Sequence, residues 1–349
     1  MQARLNDKPR LPFVGVMIFA LVAIVGFAYV KWVPYYAKAF VAQSHHFIGD
    51  SILSGKAAAA PSASWSAAAD YGIAYGKAIW QALVLGLILG SGIKVLLPTQ
   101  WVSAVLGRLG FRSVALGSLF ALPCMMCTCC AAPVAAGMRQ SRASVGSVVS
   151  WWLSNPVLNP ATLVFMGFVL GWGWTLFRMV LGIAMVLVVA HLAERYAEPH
   201  EAVSLEQVLP SEADTATGGL LARWVREFMV LAIRLVPEYL VLVLLLGAAR
   251  AWLFPVLGAY DGIVWIVAMA LAGTLFVIPT AGEVPIVQAM FALGLGAGPA
   301  GALIMTLPAV SLPSLVMLGR VFSLRTRLVI AAGVALSGML AGLIAMAIF

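Results

Sequence analysis

The sequence predicts an all-α, polytopic membrane protein, with about seven transmembrane helices, two re-entrant broken hairpins and two inverted-repeat halves. Three observations predict it. Hydrophobic residues make up 63% of the 349 and charged residues 10%, where a soluble domain carries roughly 25% charged residues. Long apolar runs recur along the chain. Two further apolar stretches are interrupted by prolines at equivalent places in a repeat of 152 residues. Mean hydropathy is +1.02. Six of the 13 acids crowd between Glu194 and Asp214, so the rest of the chain is poorer still in charge. The net charge of +8 is therefore a topology signal. The expected surroundings are a lipid bilayer, with no nucleic-acid partner.

The elements follow in order. Residues 1–70 form an N-terminal unit, in which 11–30 is an uncleaved anchor rather than a signal peptide: the run is long enough to span and no small-residue cleavage site closes it. Its remainder, 41–70, reads as a soft extramembrane loop. The first repeat half is 71–193, with spans at 71–97, 143–170 and 175–193. An acidic cytoplasmic linker, 194–226, holds Pro199, Pro210 and Gly218-Gly219. The second half, 227–349, has spans at 227–254, 299–320 and 327–348. Each run is near or above the ~20 residues that cross a ~30 Å hydrocarbon layer.

The stretches 113–138 and 263–291 differ. Pro123 and Pro133 break the first; Pro279, Gly282 and Pro285 break the second. Such breaks survive at membrane depth only where the freed backbone faces protein or a wet cavity. Were the first a straight span, Arg139 and Arg142 would lie across the membrane from Arg108 and Arg112, against the positive-inside rule. As hairpins, with the N-terminus inside, those arginines, the linker, Arg320, Arg325 and Arg327 all fall inside. Lys31, Lys38 and Lys56, in the outside segment 31–70, are the exceptions.

Shifting the chain by 152 residues places Pro133, Met138, Gly146, Pro156, Leu163, Val164 and Gly167 on Pro285, Met290, Gly298, Pro308, Leu315, Val316 and Gly319. Pro160 and Pro313 follow one register apart. Each half then holds an odd number of spans, so the halves insert with opposite orientation. Inverted repeats with discontinuous helices meeting at the midplane are a transporter architecture.

The chemistry concentrates in Leu122-Pro-Cys-Met-Met-Cys-Thr-Cys-Cys-Ala-Ala-Pro133. All four cysteines, Cys124, Cys127, Cys129 and Cys130, fall within seven residues. Thiolates select thiophilic ions, and a broken helix lets them converge. A helix starting near Pro133 would aim its free N–H groups at Cys129 and Cys130. A Cys-x-x-Cys redox pair, Cys124 and Cys127, is the rival reading. In the second break Glu283 is an acid within an apolar stretch, which is costly and points to function. It is expected to approach Cys129 and Cys130 and to exchange a proton, with Gln288 lining the same cavity. Asn155, Pro156 and Asn159, with Pro308, Ser311 and Pro313, free carbonyls and supply polar groups for a transport path. Pro133 and Pro285 open the helices beyond the breaks. Arg234 and Glu238 read as an i,i+4 pair, Arg178 and Arg250 as snorkelling cations, and His45-His46 as weak evidence for metal capture. Trp101, Trp172, Trp174 and Trp252 suit an aromatic belt. No nucleotide-binding motif is present, no enzyme activity or cofactor is expected, and the sequence leaves proton coupling and homo-oligomerisation open.

Cys127-Thr-Cys-Cys-Ala-Ala-Pro133, Ser154-Asn-Pro-Val-Leu-Asn-Pro160 and Pro299-Ala with Pro308-Ala-Val-Ser-Leu-Pro-Ser-Leu-Val-Met-Leu318 resemble the ArsP-type predicted permeases over roughly residues 75–345. The resemblance implies an inner-membrane permease that exports trivalent organoarsenicals and confers arsenic resistance, with Cys127 and Cys129 as metalloid ligands. Cys124 and Cys130 exceed the family's pattern, and four thiols suit a bare soft metal ion as well as an arsenical.

Overall fold

A computed structural model describes residues 11–55, 60–197, 219–255 and 261–349. Among them the chain is helical, without strands. Six helices are long and apolar enough to cross a membrane: 13–45, 65–96, 172–196, 220–253, 297–320 and 324–348. The seventh expected span, 143–170, is divided into two shorter pieces.

The N-terminal anchor is longer than expected. Helix α1 (Leu11–Phe27) passes through a π turn, Ala28–Trp32, into α2 (Val33–His45), so the helix continues into the segment assigned to a soft loop. His46, left-handed at φ 50°, ends it. Lys31 is no exposed exception to the charge rule, because the π turn buries it. Helix α3 (Trp65–Leu96) starts within the same assigned loop, where Ser64 accepts a hydrogen bond from the backbone N–H of Ala67 as its N-cap.

Helices α4 (Thr99–Leu106) and α5 (Phe111–Ala121) meet at a 112° bend. The chain then breaks over 122–127 and returns as α6 (Thr128–Gln140). The chain thus folds back as the first hairpin, and its base is closed. The carbonyl of Leu106 accepts from Ser113 Oγ (3.1 Å), Ser144 N (2.8 Å) and Ser147 Oγ (2.7 Å), so the chain leaves and returns at one point. Helices α7 (Val145–Val157), α8 (Pro160–Val169) and α9 (Trp172–Tyr196) complete this half. Asn159 ends the α7 piece and caps α8, accepting from Ala161 N and Thr162 N, which is why 143–170 is not one rod.

The linker assignment, with Pro199, Pro210 and Gly218, lies largely outside the described residues. The second half comprises α10 (Leu220–Leu253), α11 (Ile263–Leu275), α12 (Glu283–Ala292), α13 (Ala297–Ala309), α14 (Leu312–Met317) and α15 (Leu324–Ile348). The 152-residue shift carries α7 onto α13 and α9 onto α15 residue for residue at both ends. Even the base contacts repeat. Gly146 packs on Val114, and their equivalents Gly298 and Ile266 pack likewise.

Equivalent helices meet one another in antiparallel pairs. Tyr71, early in α3, packs on Gly247, late in α10, while Ser91 and Ile88 accept the indole N–H of Trp224 from the start of α10. Trp174 stacks on Phe349 at 4.1 Å, so the start of α9 meets the end of α15. Trp174 is thus core, whereas Trp101, Trp172 and Trp252 are exposed as a belt requires. Across the halves α7 packs on α13, α6 on α14 and α8 on α12. The halves are related as an inverted repeat.

Candidate functional site

The two breaks and the two proline-kinked helices converge on one small cavity. It is lined by Cys127, Thr128, Pro156, Ile278, Pro279, Thr280, Ala281, Glu283 and Pro308. Three pairs of these residues, Cys127 with Pro279, Thr128 with Thr280 and Pro156 with Pro308, exchange under the 152-residue shift. The cavity therefore sits on the axis relating the halves. Its volume of about 10 Å³ admits roughly one water molecule.

Local sequence explains the break. Helix α6 begins at Thr128, not at Pro133, and Cys127 is its N-cap. Pro133 lies inside α6, where it cannot donate to the Cys129 carbonyl. Met125 turns the loop with φ 51°. The loop's backbone groups, which would be costly unpaired at this depth, have partners: Pro123 O accepts from Trp32 Nε1 (2.7 Å), Met126 N donates to Asn155 Oδ1 (3.3 Å), and Thr128 O accepts from Trp152 Nε1 (2.9 Å). Asn155 therefore holds the thiol loop rather than lining the cavity. Glycines let α3 approach: a side chain at Gly86 would strike Cys130 O, and one at Gly90 would strike Pro133 O.

The four thiols are free and buried, and they separate into groups. Cys127 Sγ and Cys130 Sγ touch at 2.9 Å. Cys129 turns to Ser311 Oγ at 3.5 Å and Thr128 Oγ1 at 3.8 Å. Cys124 stands apart, donating to Phe120 O at 3.3 Å, so the adjacent dithiol is Cys127–Cys130 and not Cys124–Cys127. One turn of helix separates the paired residues, which puts both sulfurs on one face. Ser311, the equivalent of Asn159, caps α14 in a reciprocal pair with Ser314, with Pro313 in its first turn. Among the described residues no three His, Cys, Asp or Glu side chains group so as to hold a metal ion.

Charge enters from two sides. Lys31 Nζ donates to Thr280 Oγ1 (3.1 Å) and Tyr35 Oη (3.3 Å), fixing an ammonium within electrostatic reach of Cys127 and Cys130. Arg178 does not snorkel. It is fully buried, donating through Nε to Val157 O (2.9 Å), through Nη2 to Pro156 O (2.6 Å) and through Nη1 to Glu283 Oε1 (2.6 Å). A cation thus caps the C-terminal end of α7 and an anion opens α12, each at the helix end whose dipole suits it. Glu283 consequently shares the cavity with Cys127, while Cys129 and Cys130 are not among its lining residues. Pro285 follows it in the first turn of α12. Gln288 leaves the cavity altogether, donating to His46 O at 3.0 Å.

Other expectations need correction. Arg250 is buried, donating to Ala67 O and lying over the Tyr71 ring, instead of snorkelling. Glu238 pairs with Arg320 at 2.6 Å rather than with Arg234. His45 ends a helix, and His46 binds the Phe168 carbonyl. Two residues absent from the sequence reading matter more. Tyr75 and Tyr239 are buried within electrostatic reach of Cys129 and Cys130, and the Tyr75 hydroxyl faces both Cys129 and Tyr239.

The family model described as a predicted permease of ArsP type matches residues 13–155 and 77–347. The chain is 52% identical over 329 residues to UPF0718 protein YraQ of Escherichia coli (strain K12), covering 93% of each chain. It is 21% identical over 310 residues to UPF0718 protein MJ0584 of Methanocaldococcus jannaschii, covering 69% of this chain and 84% of that one. No solved structure matches it.

Proposed function

The chain belongs to the ArsP-type family of predicted permeases, and we propose that this membrane permease exports a thiophilic metalloid compound from a bacterial cell across the inner membrane. The substrate that fits best is a trivalent arsenical carrying one organic group. Such a centre has two replaceable valences. Cys127 and Cys130 would take them, each thiol losing its proton as an As–S bond forms and the two hydroxyls leaving as water. The adjacency of the two sulfurs, 2.9 Å apart at the axis between the halves, carries this reading. A tetrahedral site for a bare metal ion would ask for four sulfur or nitrogen ligands, whereas the third sulfur, Cys129, faces Ser311. The resemblance names Cys127 and Cys129; the geometry favours Cys127 and Cys130.

The cavity is smaller than any arsenical, so loading requires the halves to move about their broken helices, which is what alternating access asks of an inverted repeat. Glu283 is the group suited to couple that movement to a proton, because it can exchange its Arg178 partner for H⁺ only if the halves separate. The test is transport of phenylarsine oxide into everted vesicles. Cys127→Ser and Cys130→Ser should each abolish uptake at normal membrane abundance. Full uptake in either variant overturns the ligand assignment.

The same sulfur contact favours a second reading, a membrane thiol-redox protein using Cys127 and Cys130. It is distinguished without transport. A redox pair would cycle to a disulfide with no metalloid added; a ligand pair stays reduced and is protected from alkylation by the arsenical.

A further inference from the structure

The larger cavity lies elsewhere, at the arginine-rich end that the positive-inside rule assigns to the cytoplasm. It measures about 50 Å³ and is lined by Gly90, Ser91 and Lys94 of α3, Gly137 and Gln140 of α6, Arg320, and one face of α10 that includes Glu227, Arg234 and Leu235. Lys94 is neutralised by Glu227 at 2.8 Å, and Arg320 by Glu238 at 2.6 Å. Arg234 has no such partner among the described residues, which leaves the mouth with one surplus positive charge.

The cavity also points inward. Leu235, which lines it, lies one turn before Tyr239 on the same face of α10, and Tyr239 is one of the two buried tyrosines beside Cys129 and Cys130. Along α6 the separation from Gly137 to Cys130 is seven residues, or about 10 Å at 1.5 Å per residue. A basic mouth, two buried tyrosine hydroxyls and a dithiol therefore follow one another between α3, α6 and α10.

We propose that this cavity is a carboxylate-binding mouth, and that the substrate arrives there as an anionic adduct with a low-molecular-weight thiol. This rests on the thiol-ligand reading above and names the form of its substrate. A reducing cytosol holds abundant small thiols, and a trivalent arsenical there is carried as R–As(SX)₂, where XSH bears carboxylates. Arg234 holds a carboxylate of X while the arsenic reaches the sulfurs. Cys127–SH and Cys130–SH then displace both carriers: two As–S bonds form, two break, and the two protons leave on two molecules of XSH. No electron is transferred, and the carrier thiol stays on the side it came from.

The binding step is tested apart from the thiols with S-hexylglutathione, a carboxylate-bearing thioether that cannot exchange. Its binding to the purified full-length protein should be saturable and should weaken as salt rises. Arg234→Gln should weaken it at least tenfold, Arg234→Lys should restore most of it, and the Cys127→Ser/Cys130→Ser double variant should bind as the parent does. Absence of saturable binding, or equal affinity in Arg234→Gln, overturns the mouth while leaving the thiol reading intact. Normal arsenical transport by the double-serine variant overturns the thiol reading, and binding of the thioether still decides the mouth.

Discussion

Arg178 and Glu283, 105 positions apart and in different halves of the repeat, meet as a buried ion pair at 2.6 Å. The pair ties the kink of α7 to the opening of α12, so it is the fastener between the two breaks. Removing one member strands a buried charge without its partner, which costs about 3–5 kcal/mol, whereas an apolar replacement of both members costs much less. Arg178→Met and Glu283→Leu should each lower the thermal midpoint of the purified protein sharply, and the double variant should recover most of the loss. Single variants as stable as the parent would show that the fastener carries no load.

The coupling role of Glu283 gives a separate outcome. Glu283→Gln keeps the shape and a hydrogen-bond acceptor for Arg178 but cannot exchange a proton. It should bind phenylarsine oxide and lose the response of export to an imposed pH gradient. A response equal to the parent's would place coupling elsewhere.

Most of the architecture was legible in the sequence because it rests on patterns that a bilayer enforces. Apolar length, arginine distribution and the proline repeat predicted the hairpins, and Leu106 collecting Ser113, Ser144 and Ser147 closes the first of them. The sequence was less informative wherever a long side chain chooses among partners distant in the chain. Arg178 sits one turn from Trp174 near a helix start, so snorkelling was the natural expectation; only the carbonyls exposed by the α7 kink make burial pay. Glu238 chose Arg320 over its i,i+4 neighbour for the same reason. Lys31 was misplaced because a continuing helix through a π turn leaves no composition signal. Cys124 was grouped with its neighbours by spacing, yet the loop turn at Met125 sends it away.

The hairpin geometry predicts sidedness. The four native cysteines are buried, so an impermeant maleimide should report introduced thiols over a low background. Cysteines at the exposed positions Leu109 and Ala292 should label from opposite faces of the membrane, Leu109 from the cytoplasm. Labelling of both from one face would exclude the inverted arrangement in the membrane.

Close backbone approach predicts a further effect. Gly90 presses its backbone against Pro133 and Gly137, leaving no room for a methyl group. Gly90→Ala should cost about 1–3 kcal/mol of stability through overpacking, read as a lower thermal midpoint, and should impair transport more than the same change at Gly76, where nothing lies within 4 Å. Equal effects at the two sites would remove the packing argument.

The central claim is that Cys127 and Cys130 form the dithiol that takes the arsenical. Its most direct measurement is mass spectrometry of the purified, reduced protein after one equivalent of phenylarsine oxide, followed by denaturation, alkylation and peptide mapping. The account predicts one phenylarsenic group per chain, with Cys127 and Cys130 protected and Cys124 and Cys129 alkylated. Protection of a different pair, no protection, or a Cys127–Cys130 disulfide formed without any arsenical would contradict it.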